Sequence, residues 1–162
     1  MSFAVFGARR LVLALAALSL AATLVPVSTP APANAYTTQA GAVVGFARDQ
    51  LGKPWSYGAI GLRKYDCSGL VYRSYYQNGL LKKIGGSRMT AKGYYKWFKE
   101  RGLASRYNPR KGDLVVWGYG SHIGIYIADG KAVSALSNGV KVHGVFAVTA
   151  SFTAYLHVNI TR

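Results

Sequence analysis

Cys67 is the only cysteine in this 162-residue chain, set in Asp66-Cys67-Ser68-Gly69-Leu70. Downstream, Ser121-His122-Ile123-Gly124-Ile125-Tyr126 places a histidine beside small residues at the start of a β-rich run. A thiol and an imidazole are the two parts that thiol-based nucleophilic catalysis requires. The thiolate attacks a carbonyl, and the imidazole takes the thiol proton before handing it to the leaving amine. A lone cysteine is often an inert buried hydrophobe, but the polar flanks Asp66 and Ser68 argue against a plain core position. Ser68 and Gly69 are small enough to let a substrate backbone approach. His143 and His157 compete with His122 for the role of base. His157 alternates with Tyr155 and Asn159 on what reads as a solvated strand face, and His143 sits beside a turn with no small-residue approach.

These groups must be held by two kinds of element. Val43, Phe46, Ala47 and Leu51 recur at helical spacing, predicting a helix over residues 40–51 that Gly52-Lys53-Pro54 ends. A second helix is expected over 67–77, and a third, capped by Thr90, reaches Arg101 before Gly102. Cys67 therefore falls where loop becomes helix. The helix's positive end, with an imidazolium nearby, would keep the sulfur ionised near neutral pH. After Pro109 come β-rich runs at 113–117, 122–128, 131–136, 140–145 and 154–160, with hairpin signals at Asp129-Gly130 and Asn138-Gly139. Helices first and an antiparallel sheet of about five strands second is an α+β layout, the helices packed on one face.

Residues 1–35 read as an export signal cleaved after Ala35. Arg9 and Arg10 supply the positive region, Leu11 through Val25 the apolar run, and Ala33-Asn34-Ala35 the small-x-small site. The rival reading is an uncleaved membrane anchor. That apolar run ends at Pro26, short of the roughly 20 residues a spanning helix needs. The single domain left, residues 36–162, would be secreted or wall-associated, with no stable membrane insertion, and monomeric. Without Arg9 and Arg10, 18 of the 20 basic residues remain against 5 acidic ones, leaving +13 of the +15 charge. Such an excess implies an anionic partner, although it also keeps a protein soluble unaided. Nucleic acid is excluded by export, which leaves anionic cell-envelope polymers.

Four blocks then carry a resemblance. Gly52-Lys53-Pro54-Trp55-Ser56-Tyr57-Gly58, Tyr65-Asp66-Cys67-Ser68-Gly69-Leu70-Val71, Lys111-Gly112-Asp113-Leu114-Val115 and His122-Ile123-Gly124-Ile125-Tyr126-Ile127 resemble, in order and spacing, the NlpC family. These are papain-like cysteine peptidases that cut bacterial cell-wall stem peptides. The likeness spans roughly residues 40–145 and implies a papain-like (NlpC-type) fold. It implies Cys67 as nucleophile and His122 as general base, with Tyr57 shaping the substrate and oxyanion side together with Ser68 and the Cys67 amide. Asp66 is expected to cap the helix, and Asp113 to serve a turn. The family's third polar residue, usually histidine, falls twelve positions after the catalytic histidine; here that position is Ser134. A hydroxyl can accept the imidazole N–H but carries no charge. Asn138, His143 or a bridging water could stand in, and a degraded site is the other possibility. The implied activity is a peptidoglycan endopeptidase acting on D-γ-glutamyl–diamino acid bonds, with no metal or cofactor. Its rivals are a thiol amidase or acyltransferase on the same fold, and a catalytically weak cationic wall-binding protein.

Overall fold

The computed structural model describes Met1 and residues 38–162; the export signal read over residues 1–35 lies outside the described residues, Met1 apart. Three helices come first: α1 (Gln39–Arg48), α2 (Cys67–Tyr76) and α3 (Ala91–Lys99). Each opens on a side-chain cap. Thr38, Asp66 and Thr90 accept from the backbone N–H of Gly41, Gly69 and Gly93 respectively, satisfying donors that a helix start leaves free. The first helix stops three residues before the sequence pattern does, because Gln50 and Leu51 turn tightly onto Ala47 and Arg48 instead of continuing the ladder.

Six strands follow: β1 (Ala104–Ser105), β2 (Leu114–Trp117), β3 (His122–Ala128), β4 (Lys131–Leu136), β5 (Gly139–Gly144) and β6 (Phe152–Leu156). They form one antiparallel sheet in the order β1-β6-β2-β3-β4-β5. The expected five strands are all present. The sixth, β1, is a two-residue edge, too short to carry any alternation. Asp129 and Gly130 both take positive φ (50° and 67°), the geometry a two-residue hairpin needs between β3 and β4.

Both sheet faces are covered. Leu114, Val116, Ile123, Ile125, Val133 and Leu156 pack against Val43, Leu70, Tyr75 and Phe98 from the helices. On the other face Val115, Trp117, Tyr126, Ala132 and Tyr155 pack with Val145, Val148 and Ala150 from the segment between β5 and β6. The solvated face expected around His157 is thus corrected: Tyr155 is buried, and His157 is half-buried.

The last strand also ends earlier than its apolar alternation suggests, at Leu156 rather than Ile160. The cause is Asp113. Its carboxylate is fully buried and accepts from the backbone N–H of Arg110, the turn bond that the sequence implies. It also accepts from the backbone N–H of Val158 (3.0 Å), His157 Nδ1 (2.8 Å) and Arg162 Nη2 (2.6 Å). These bonds draw residues 157–162 out of the ladder and back toward α1, where Gln39 and Thr161 exchange hydrogen bonds. Removing one partner of a buried ionic cluster strands the others. Asp113→Ala is therefore expected to cost about 3 kcal/mol in urea unfolding, and a loss below about 1 kcal/mol would contradict the assignment.

Candidate active site

Asp66 organises the opening turn of α2. One carboxylate oxygen accepts from the Gly69 amide (2.5 Å) and from the Ser68 hydroxyl (2.9 Å); the other takes Arg88 at 2.8 Å. The loop that precedes it is stitched alongside: Ser56 N–H bonds the Tyr65 carbonyl, and Asp66 N–H bonds the Ala59 carbonyl. That crossing requires a glycine at 69, since a Cβ there would lie 2.0 Å from the Ala59 oxygen. Gly69 thus brings the Trp55–Gly58 loop, with Tyr57, against the start of α2.

Cys67 follows Asp66 as a partly buried free thiol. The backbone N–H of Ile123, the residue after His122, acts on its sulfur and lowers its pKa, as do its own amide and that of Ser68. The thiol therefore lies near the backbone at the start of β3, the strand that His122 opens. His122 stands directly opposite Trp117 in the β2–β3 pairing, and its ring rests 5.3 Å from the indole at 37°. Its Nε2 lies 2.9 Å from Ser134 Oγ on β4. Gly124 makes this approach possible: a Cβ there would sit 2.8 Å from the Val133 oxygen and 2.9 Å from Ser134 Cβ. Ser134 Oγ is also 2.7 Å from Nε2 of His143 on β5, whose ring lies 5.6 Å from the same Trp117, tilted by 51°.

Burial dominates the electrostatics of this pair. It pushes the Cys67 thiol above the ordinary cysteine value, with Asp66 adding to the rise, and the surrounding amides only partly offset this. It pushes His122 down to about 4, helped by the neighbouring His143. Both shifts disfavour the charged forms. Burial thus opposes the thiolate that the helix terminus favours.

The sulfur opens into a cleft of about 460 Å³ lined by Trp55, Tyr57, Cys67, Arg88, Thr90 and Ser121, among others. Tyr57 is 90% exposed there, free to close over a ligand. Ser68 also lines the cleft, but its buried hydroxyl is committed to Asp66, so only its backbone faces outward chemistry. Of the residues singled out from sequence, His122 and Ser134 are hydrogen-bond partners, and Tyr57, Cys67 and Ser68 line one cleft. Two contributors escaped that reading. Trp117 requires the hairpin register, and Arg88 sits in a coil where only its charge is visible.

The match to known proteins follows the same boundaries. The family model described as "NlpC/P60 family" covers residues 52–158. A probable endopeptidase p60 of Listeria grayi is 34% identical over 102 residues, covering 61% of this chain and 18% of that protein. A probable endopeptidase of Corynebacterium glutamicum is 31% identical over 118 residues, 72% of this chain and 51% of that one. This chain therefore spans about a fifth to a half of the length of these relatives. Among solved structures, the NlpC/p60 domain of the peptidoglycan hydrolase SagA superposes with a TM-score of 0.58 at 25% identity, covering 74% of this chain and 98% of that domain. The peptidoglycan hydrolase RipB of Mycobacterium tuberculosis gives 0.57 at 25% identity, covering 76% and 64%. With that family model matched over residues 52–158, well over half of its length, the chain belongs to the NlpC/P60 family.

Proposed function

We propose that this protein is a cysteine endopeptidase of peptidoglycan stem peptides. The observation that carries the reading is the sulfur of Cys67 at the start of α2, near the backbone N–H that follows His122, whose ring is backed by Ser134. Cys67 attacks the scissile carbonyl as His122 accepts the thiol proton. The tetrahedral oxygen lies against the Cys67 amide at the helix start. Collapse forms the acyl-enzyme on sulfur and breaks the C–N bond, the departing amine taking its proton from His122. Water, deprotonated by the same imidazole, releases the acid and restores the thiol.

The D-γ-glutamyl–diamino acid bond is the substrate implied by the family resemblance, and Tyr57 with Arg88 frames the cleft that would receive it. Tyr57 is placed to cover a bound peptide, while the Ser68 and Cys67 amides face the carbonyl. A secreted or wall-associated location fits the names of the relatives and the export pattern at the N-terminus. No helix among the described residues is long and apolar enough to cross a membrane.

Charge supplies the second part of the proposal. Lys92, Lys96 and Lys99 form a basic row along α3, whose first residue borders the cleft, and Lys82 and Lys83 lie nearby in sequence on the preceding turn. Such a row suits an anionic wall polymer. Digestion of defined muropeptides by residues 36–162 tests the chemistry. New stem-peptide fragments are expected, with Cys67→Ser abolishing them; new cross-links would indicate acyl transfer instead, and unchanged products with Cys67→Ser would end the thiol account. Sedimentation of the Cys67→Ser protein with purified walls tests the charge. Binding should fall steeply between 50 mM and 500 mM salt, where screening lengths shrink to below about 8 Å; salt-independent binding would remove the electrostatic explanation.

A further inference from the structure

We propose that His143 is a positioning residue, which acts through Ser134 to hold His122 in the tautomer that presents a bare Nδ1 to Cys67. The inference rests on the thiol chemistry proposed above and names a participant outside the nucleophile, the base and the residue twelve positions on.

The deduction runs inward from the main chain. His143 Nδ1 lies 3.0 Å from the Gly144 carbonyl oxygen. A carbonyl only accepts, so this nitrogen carries the proton. In a neutral imidazole the other nitrogen is then an acceptor. His143 Nε2, at 2.7 Å, must receive the Ser134 hydroxyl proton. A hydroxyl has one proton to give. Toward His122 Nε2, 2.9 Å away, the serine oxygen can only accept. His122 is therefore protonated on Nε2, and its Nδ1 holds the lone pair.

Burial leaves no alternative partner. Ser134 is 0% exposed, so water cannot replace either imidazole on its hydroxyl. Trp117 packs against both rings, and its indole N–H is anchored on the Val145 carbonyl at 2.6 Å. The three bonds point the same way, each group polarising the next. Ser134 thereby becomes a better acceptor for the imidazolium that forms during attack, which a lone hydroxyl would serve poorly. The uncharged serine at this position is thus one half of a two-residue support, with β5 supplying the other half.

Without His143 the serine proton is free to turn toward His122 Nε2. The opposite tautomer would then be favoured, with Nδ1–H aimed at the thiol and no base available. A wrong tautomer in a comparable triad lowers turnover by about 10⁴, so His143→Leu is expected to lower kcat by about 10²- to 10⁴-fold with KM little changed. His143→Gln offers an amide oxygen to Ser134 and an N–H to the Gly144 carbonyl, and should recover most of that loss.

Side-chain ¹⁵N NMR of residues 36–162 supplies a readout that needs no substrate. His122 should report Nε2–H in the parent and in His143→Gln, and shift toward Nδ1–H in His143→Leu. Ser134→Ala combined with His143→Leu should lose no more activity than either change alone, because the two act as a unit. An unaltered His122 tautomer in a folded His143→Leu protein, or strictly additive losses, would overturn the proposal. Because the tautomer is read without turnover, failure to cleave muropeptides in every variant would count against the proposed function and leave this inference to be judged by the spectra.

Discussion

Cys67 at the start of α2 packs against the core that includes Ile123 of β3, whose backbone N–H favours the thiolate, and this proximity joins the helical half of the molecule to the sheet half. Its geometry has three requirements. Asp66 must cap α2 so that Cys67 lies at a helix start. Gly69 must lack a side chain so that the Tyr57 loop can cross it. The β2–β3–β4 register must bring Trp117, His122 and Ser134 onto neighbouring positions. A one-residue slip in that register would turn His122 to the other face of the sheet. The catalytic reading is therefore as firm as the strand pairing and the packing beneath it.

Burial both builds and restrains the site. The apolar faces that fix the sheet also shield the thiol and the imidazole, raising one and lowering the other. The protein compensates with fixed dipoles rather than counter-charges: three backbone amides near the sulfur, and a serine–histidine chain behind the imidazole. Preorganised dipoles stabilise charge as it develops without favouring an ion pair beforehand.

Much of this was legible in the sequence because single residues carried it. Asp66 as a cap, Thr90 as a cap and Asp129-Gly130 as a hairpin follow from local chemistry, and all three are found in place. The position twelve residues beyond His122 proved to be a hydrogen-bond partner of its ring. What sequence could not show depended on long-range pairing. His143 looked isolated beside its turn until β5 paired with β4 and brought it to Ser134. His157 was assigned to a solvated face because alternation ignores the buried Asp113 carboxylate, 44 positions away, that captures it. The early end of β6 has the same origin. The desolvation that opposes the thiolate favoured by the helix-end dipole is likewise invisible in one dimension.

The central claim is that one sulfur and one ring nitrogen act on the same carbonyl. A crystal structure with a stem-peptide aldehyde tests it most directly. The account predicts a carbon–sulfur bond at Cys67, the aldehyde oxygen at the Cys67 amide, and His122 Nδ1 within hydrogen-bond reach of the adduct. An aldehyde bound elsewhere, or an adduct facing Nε2 with the ring detached from Ser134, would contradict it.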